Sequence, residues 1–567
     1  MSRTGVGGNR LAVALATGSF VVLSVLVLGQ PHRLREPDPY AYRAAMRAMA
    51  SGNLTLDIEQ YKRLDTELLE EGDGWDRPNF SLAAVPFLDG CGPGPLSGVN
   101  PPSYPPRPSD GSREGSAAPA GCCPQRVGSF SGPLFGEAPP TGITQWVFLP
   151  TGRCASEKNP GYPALAFLFD LLGVVRLAPL FYGALGCLGL WVGARRWLGP
   201  WGASLAVGLF CSQPAVLIMA HRAYMPTFTD SALLAGGAGL MMWAVLAVDG
   251  PRSRRALAGA AAFFMLALSM TVRYSNLLPA LVVVGWALLA TLKGRWRLER
   301  RIWMAWVGGA VVPVAALVTY NVKVFGKIVA TGYEYTAGGN PEWELASVAD
   351  NLRVMPGRLL AAVPIWPAAV VALGVLAVGV ARHRSRARHA TVGRGPGHAA
   401  DSGSPDALET APSADSWVAP MLATWWASVW GLYAFFGWTH DAVPEGAHFI
   451  IATRFYLPAM GAIAMLVAWL LARMPRVSGF MIIAGLFIIG GISFVDAVHR
   501  DWMFSNVTTG SVGIVADRGR IGSRVEPSLQ SEVLAVLHRV ARSLRQGEVL
   551  RPLDRHQSTT SDCGSRC

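Results

Sequence analysis

The sequence predicts an all-α polytopic membrane protein, and three observations on its composition carry that prediction. Hydrophobic residues make up 51% of the 567 residues and charged residues only 15%, whereas soluble proteins carry about 25% charged residues. The apolar residues gather in runs of about 20, which is the length of a helix that crosses a bilayer. Basic residues lie mostly in short connections between these runs, a pattern typical of membrane proteins rather than nucleic-acid-binding proteins.

The apolar runs predict a bundle of about 11 transmembrane helices with a long extracytoplasmic first loop. No Ala-x-Ala-like cleavage site follows the first run, so we interpret it as a retained anchor rather than a signal peptide. Pro179 and Pro214 are expected to bend or interrupt the second and third segments. The predicted segments are 11–29, 170–194, 201–220, 227–248, 256–272, 277–292, 303–320, 357–381, 417–437, 454–472 and 478–497.

The distribution of basic residues predicts the orientation of the chain. Counted over the short connections, which leaves out the long first loop and the C-terminal tail, one alternating set carries 19 Lys and Arg residues and the opposite set carries 7. Because short cytoplasmic loops are enriched in Lys and Arg, the N-terminus is expected inside. The long first loop and the C-terminus are then expected outside.

This topology divides the chain into six parts. They are an N-terminal anchor helix (1–29), an extracytoplasmic loop (30–161), a transmembrane core (162–381), a disordered cytoplasmic linker (382–416), C-terminal transmembrane helices (417–498) and an extracytoplasmic tail (499–567). The first loop contains a Gly/Pro/Ser-rich insertion at about 88–142, whose composition buries little apolar surface. An amphipathic segment at 531–546 in the tail is expected to pack on the outside loops.

Six cysteines lie in the parts that are expected outside, where disulfides form and persist. A zinc site is the alternative, but no CxxC pattern or nearby His supports it. We expect disulfides of undetermined connectivity among Cys91, Cys122, Cys123, Cys154, Cys563 and Cys567.

An acidic segment, Glu36 to Arg43, follows the first apolar run directly. Asp38 precedes Pro39 and a helical pattern whose apolar face includes Tyr42 and Met46 and which ends at Gly52. Asp is a preferred N-cap and Pro a preferred first helical residue, so a capping role for Asp38 is one interpretation. A catalytic role is the other.

Further polar groups stand at the predicted outer ends of later segments. Each one alone is explained as a snorkelling cation or an interfacial aromatic residue. They lie in Glu157–Pro163, Thr271–Asn276, Tyr320–Lys327, Thr331–Tyr335 and Thr453–Pro458.

Taken together, these segments resemble the GT-C superfamily of polytopic glycosyltransferases, in particular dolichyl- and polyprenyl-phosphate-mannose protein mannosyltransferases. The family places an acidic residue just outside its first span, in a setting similar to Asp38-Pro39-Tyr40-Ala41-Tyr42-Arg43. The other similar motifs are Glu157–Pro163 before the second span, Tyr320-Asn321 through Phe325-Gly326 to Gly332-Tyr333, and Arg454-Phe455-Tyr456-Leu457-Pro458. The Cys-rich insertion and Asn159 depart from the family pattern.

The resemblance implies transfer of mannose or a similar sugar from a polyprenyl-phosphate donor to a hydroxyl group of a protein, lipid or polysaccharide. Asp38 would be the general base, with Glu36 the weaker candidate, and displacement would invert the anomeric centre. No cofactor is firmly implied, although Mg²⁺ or Mn²⁺ would fit between Asp38 and a phosphate. The implied substrate-binding residues are Lys158, Tyr162, Arg273, Asn321, Tyr333 and Arg454.

Two other functional classes remain open at the level of sequence. A transporter or lipid flippase would also be polytopic, and Asp170 and Asp230 are charges close to its predicted spans, but inverted repeats are absent from the sequence. A non-catalytic assembly subunit of the cell envelope would use the Cys-rich loop to bind a partner. Such a non-catalytic subunit would not need Asp38 aligned with cations on the same predicted side.

Overall fold

The structure is a computed structural model. It describes residues 6–30, 37–71, 146–149, 151–247, 250–292, 299–335, 343–392, 415–437, 439 and 450–500. Five of the six cysteines expected outside lie beyond these residues, as do Glu36 and the segment 531–546. Cys154 is described and is buried. The pairing of the cysteines therefore stays a prediction.

The described chain is almost entirely helical, which confirms the all-α polytopic fold class. The helices are α1 (Val6–Gly29), α2 (Pro37–Ala50), α3 (Ile58–Glu71), α4 (Gly161–Leu171), α5 (Leu177–Cys211), α6 (Pro214–His221), α7 (Thr227–Leu246), α8 (Arg252–Val272), α9 (Leu277–Leu292), α10 (Arg300–Phe325), α11 (Ser347–Ala362), α12 (Trp366–Val392), α13 (Asp415–Ala434), α14 (Ile450–Thr453), α15 (Met460–Leu471) and α16 (Arg476–Arg500). The strands β1 (Trp146–Phe148) and β2 (Cys154–Ser156) form one antiparallel pair.

Helix α5 is a hairpin of two antiparallel arms. Its backbone is non-helical at Gly199, where φ is +74°, a value that glycine adopts without a steric penalty. In a straight helix, residues 24 positions apart would be separated by about 36 Å, yet the Sγ atoms of Cys187 and Cys211 are 3.7 Å apart. The two arms correspond to the separate segments predicted at 170–194 and 201–220.

Eight of the described helices are long and apolar enough to cross a membrane, or nine if the bent pair α11 and α12 forms one span. That count takes the α5 hairpin as a single helix and leaves out α13. Eleven crossings would follow if both arms of α5, the bent pair and α13 each cross, so the predicted number stays a prediction. On α10, Val307, Val311 and Val312 are exposed, as expected for a helix that faces lipid.

Two predicted boundaries differ from the structure. The segment expected at 170–194 begins later, because α4 ends at Leu171, Gly173 follows at φ +71°, and α5 starts at Leu177. The linker expected from residue 382 is helical up to Val392, since α12 continues through an Arg- and Ala-rich stretch with no Gly or Pro before Gly393.

The helices define two opposite ends of the bundle, which helix α8 connects. The Arg252 end contains the start of α8, Glu299 before α10, and Asp415 at the start of α13. The Arg273 end contains the end of α8, Asp230 near the start of α7, and Phe455. Helix α2 packs against α4, and Leu56 beyond α2 pairs with Cys154 of β2. These elements cover the Arg273 end.

Candidate active site

Helix α2 carries the proposed acidic group to the Arg273 end. The helix begins at Pro37, so Asp38 lies in its first turn rather than at a capping position before it. An acidic residue in a first turn is still stabilised by the helix dipole. Neither the Asp38 side chain nor Glu36 belongs to the described structure. One turn later, the ring of Tyr42 meets the ring of Tyr162 edge to face, with centroids 5.8 Å apart.

Lys158 follows strand β2 and connects two motifs that are far apart in sequence. Its Nζ lies 3.3 Å from Oε1 of Glu157 and donates a hydrogen bond of 3.3 Å to the hydroxyl of Tyr333. The same Nζ stands 5.4 Å from the centroid of the Tyr333 ring. Both Glu157 and Lys158 are buried. The sequence predicted Lys158 and Tyr333 as parts of one site, and the structure brings them into contact.

Gly332 makes this contact possible. A Cβ at this position would lie 2.3 Å from Cα of Glu157, a distance that no side chain tolerates against backbone. The absent side chain therefore lets the loop that carries Tyr333 approach the backbone of Glu157 and Lys158 closely. Further along, the amide Nδ2 of Asn159 donates to the carbonyl oxygen of Val272 at 3.2 Å. This bond ties the Lys158 segment to the end of α8.

Arg273 follows Val272 and forms a buried ion pair with α7. Its Nε lies 2.8 Å from Oδ2 of Asp230, and its Nη2 donates to the hydroxyl of Thr227 at 2.9 Å. The side chain of Asp230 is fully buried and that of Arg273 is 13% exposed. The guanidinium carbon of Arg273 also stands 5.6 Å from the centroid of the Phe455 ring.

The electrostatic surroundings keep Arg273 charged. Burial acts to lower its pKa, whereas the charge of Asp230 raises it, and the net shift of the Arg273 pKa is upward. Three tyrosine hydroxyls from separate parts of the chain add to the upward shift: Tyr433, Tyr42 and Tyr333. Tyr42 of α2 and Tyr333 of the Lys158 contact therefore both lie within electrostatic reach of the same cation.

Arg454 shares an aromatic ring with Arg273. Its guanidinium carbon is 5.0 Å from the centroid of the Phe455 ring, which is the ring that Arg273 also approaches. A cation over an aromatic face is stabilised by the ring quadrupole. Lys158, Arg273 and Arg454 thus come to the Arg273 end from three separate segments.

The remaining two predicted residues have internal partners. The hydroxyl of Tyr162 is fully buried and donates to the carbonyl of Ala223, and burial, followed by the nearby Tyr224 and Tyr42, raises the Tyr162 pKa. Asn321 is also buried, and its Nδ2 donates to the carbonyl of Ile328 at 3.1 Å. Tyr162 therefore packs against α2 through Tyr42, and Asn321 holds the loop that precedes Tyr333.

Three buried acidic residues were not predicted as parts of this site. Asp230 and Asp170 were noted only as charges near predicted spans, and Glu157 only as part of a motif. Each is ion-paired with a cation: Asp230 with Arg273, Asp170 with Arg47, and Glu157 with Lys158. Only the adjacency of Glu157 and Lys158 is visible in the sequence. The other two pairs join residues that are distant along the chain.

No group of three or more His, Cys, Asp or Glu side chains that could hold a metal ion occurs within the described ranges. That result does not test a divalent cation at Asp38, because the Asp38 side chain is not described. The option of Mg²⁺ or Mn²⁺ there stays a prediction. Tyr333, Lys158 and the two arginines are groups that would bind a phosphate without a metal.

The fold and this cluster define a polytopic helical membrane protein with buried and half-buried cations at one end of its bundle. No protein-family model matches the chain, and no curated protein matches it. Two solved structures are similar to it, both of ArnT from Cupriavidus metallidurans. One is bound to undecaprenyl phosphate, with 16% identity over 58% of this chain and 53% of that chain and a TM-score of 0.37. The other is in the apo state, with 18% identity over 70% of this chain and 63% of that chain and a TM-score of 0.40. At these values the alignments assign no substrate or activity to this chain.

Proposed function

We propose that the chain is a GT-C-like membrane glycosyltransferase that moves a sugar from a polyprenyl-phosphate donor to a hydroxyl acceptor. The observation that carries this proposal is the contact between Lys158 and Tyr333. Two motifs of the resemblance, 175 residues apart, meet there, and Arg273 lies within electrostatic reach of the same tyrosine. A shared site explains why both motifs stand at the ends of apolar segments.

The cations would bind the phosphate of the donor. A departing polyprenyl phosphate accumulates negative charge, which fixed cations in a site of low dielectric stabilise strongly. Lys158, Arg273 and Arg454 supply three positive charges around Tyr333 and Phe455. The Tyr333 hydroxyl accepts from Lys158, and its own proton remains available to donate to a phosphate or sugar oxygen.

The chemistry assigned to Asp38 is general-base catalysis. The acceptor oxygen attacks the anomeric carbon, its proton passes to the Asp38 carboxylate, and the bond between the anomeric carbon and the phosphate oxygen breaks. Polyprenyl phosphate leaves with the bonding electron pair. A single displacement of this kind inverts the anomeric centre. Mannose or a similar hexose or pentose is the sugar that the resemblance implies, and the acceptor is a protein, lipid or polysaccharide.

The Arg273 end is assigned to the extracytoplasmic side. The basis is the ratio of 19 to 7 basic residues between the two sets of connections, because the richer set meets the Arg252 end and favours the cytoplasm. Donor and acceptor would then meet at the outer surface of the cell membrane, and the active site would face outwards.

The test is transfer by purified protein in liposomes, with a short-chain polyprenyl-phosphate mannose as donor and release of polyprenyl phosphate as the readout. We expect Lys158→Ala to raise the donor KM by about tenfold or more, since a charge-assisted contact contributes about 1.5–3 kcal/mol. Lys158→Arg keeps the charge opposite Glu157 and shows whether a loss reflects folding.

Lys323→Ala is the matched control, because Lys323 is an exposed lysine near the same end of the bundle. It should leave the donor KM unchanged. Movement of the intact donor across the liposome membrane without cleavage by the wild-type protein would instead identify a flippase, and the proposal would be wrong.

A further inference from the structure

Asp170 stands apart from the cation cluster and holds helix α2 in place. Its carboxylate lies near the end of α4, with a side chain that is 4% exposed. Oδ2 is 2.9 Å from Nε of Arg47, and Oδ1 is 3.9 Å from Nε of Arg43. Oδ1 also accepts a hydrogen bond of 2.7 Å from the hydroxyl of Tyr224. One buried carboxylate thus connects α2, α4 and the segment before α7.

Small side chains let α2 pack closely against its surroundings. The α2 face that packs inward includes four alanines at the spacing of one broad helical face. All four are buried: Ala41, Ala44, Ala45 and Ala48. The two arginines lie on the same helix, one turn apart, and the guanidinium of Arg43 also stands 5.5 Å from the ring of Tyr224.

Charge balance favours a buried carboxylate beside Arg43 and Arg47. Two arginines of α2 enter a partly buried region, and desolvating a guanidinium is unfavourable unless an opposite charge compensates it. Asp170 supplies such a charge from α4. Within the described chain, its carboxylate contacts Arg47, Arg43 and Tyr224, so it joins three segments of the fold.

We infer that Asp170 is a positioning residue, which acts through Arg43 and Arg47 to fix α2 and so to place Asp38 at the active site. The inference rests on the proposed function, because it assigns Asp38 its role as base. Asp38 lies five residues before Arg43 on the same helix. The helix that carries both residues is continuous from Pro37 to Ala50.

The experiment compares Asp38→Asn, Asp170→Asn and the double variant in the liposome transfer assay. Asp170→Asn should lower kcat by about 10- to 100-fold, because a displacement of about 1 Å at a reacting group has effects of that size. The donor KM should stay within about twofold of wild type, since the cations of the phosphate site are untouched. The double variant should be no slower than Asp38→Asn alone, because a misplaced base matters only while the base is present.

Hydrogen exchange of the α2 peptides supplies a readout that does not depend on activity. We expect faster exchange in Asp170→Asn by about tenfold, since α2 loses its anchor to α4. Asp170→Glu keeps the charge and should restore most of the protection. Glu299→Gln is the control, as Glu299 pairs with Arg252 at the opposite end of the bundle and should change neither exchange of α2 nor turnover.

The outcomes separate the two proposals. One outcome is that the wild-type protein transfers sugar and the losses of kcat in Asp38→Asn and Asp170→Asn multiply in the double variant. This outcome would overturn the positioning role and leave the proposed function intact. Unchanged exchange of α2 in Asp170→Asn would overturn it as well. Absence of transfer by the wild-type protein would overturn the proposed function and, with it, the role of Asp170 in placing a base.

Discussion

The two ends of helix α8 carry ion pairs of the same length in opposite environments. Arg252 at its start lies 2.8 Å from Glu299, and Arg273 just past its end lies 2.8 Å from Asp230. The first pair is exposed, with side chains 79% and 48% accessible, whereas the second is 13% and 0% accessible. Distance alone therefore says little about what an ion pair does in this protein.

The difference in burial indicates at which end of α8 the ion pair carries a large desolvation penalty. An exposed pair contributes little and is easily replaced by water. Burial removes water from both charged groups of an ion pair, and the free-energy cost of this desolvation often exceeds the attraction between the two charges. Among the residues that the structure describes, the Arg273 end holds three buried carboxylates, each beside a cation. Such a concentration of costly groups is typical of functional sites.

The largest expected difference between the two ends is in stability. Arg273→Ala leaves Asp230 buried without its cation and should destabilise the protein by about 3–5 kcal/mol. Arg252→Ala removes an exposed partner and should cost about 1 kcal/mol or less. Thermal unfolding of both variants in the same detergent measures the contrast. Equal shifts of the unfolding midpoint would show that burial does not separate the two pairs. If the double variant Arg273→Ala with Asp230→Asn regains stability, the uncompensated Asp230 carboxylate is the cause.

The next expected effect is on turnover and concerns Asp38. Asp38→Asn keeps a side chain suited to a helix start but removes the base, so kcat should fall by at least about 100-fold. Expression and unfolding temperature should stay close to those of the wild type, because the loss of a helix-dipole interaction costs only about 0.3–1 kcal/mol. Glu36→Gln should be mild. A severe effect of Glu36→Gln with normal turnover by Asp38→Asn would move the base to Glu36.

The smallest expected effect compares one hydrogen bond at each end. Tyr333→Phe removes the hydroxyl that accepts from Lys158, and we expect a loss of about 0.5–1.5 kcal/mol in kcat/KM for the donor. Trp197→Phe removes the bond of 2.7 Å from the Trp197 indole to Asp415 at the Arg252 end and should leave kcat/KM unchanged. Equal losses in the two variants would remove Tyr333 from the donor site.

Much of the fold could be predicted because apolar runs are local features of the sequence. The run that contains Gly199 and Pro200 predicted two segments rather than one long helix, and the α5 hairpin has two arms. The helix after Asp38 was predicted from the spacing of Tyr42 and Met46, and both are buried in α2. Boundaries were less accurate, since the start of α5 after Gly173 depends on tertiary packing.

The partners of the charged residues could not be predicted from the sequence. Arg273 was assigned to a phosphate site without its ion pair to Asp230, because nothing local connects residues 43 positions apart. Asp170 was interpreted only as a charge near the membrane, whereas its partners Arg43 and Arg47 come from α2. Lys158 and Tyr333 were grouped only through the resemblance, since the close approach of Gly332 to Glu157 is a property of the folded chain.

The positioning role proposed for Asp170 makes helix α2 a lever, with its pivot where Arg43 and Arg47 contact Asp170. Its active arm is the five-residue stretch from Arg43 back to Asp38, about 7.5 Å long at 1.5 Å per residue. A tilt of about 8° at the pivot therefore displaces the Asp38 backbone by about 1 Å. Because the distance from Arg43 to Asp38 is short, a small change of tilt at Asp170 moves Asp38 only slightly. The rigidity of the Asp170 contact would therefore determine how accurately Asp38 is positioned.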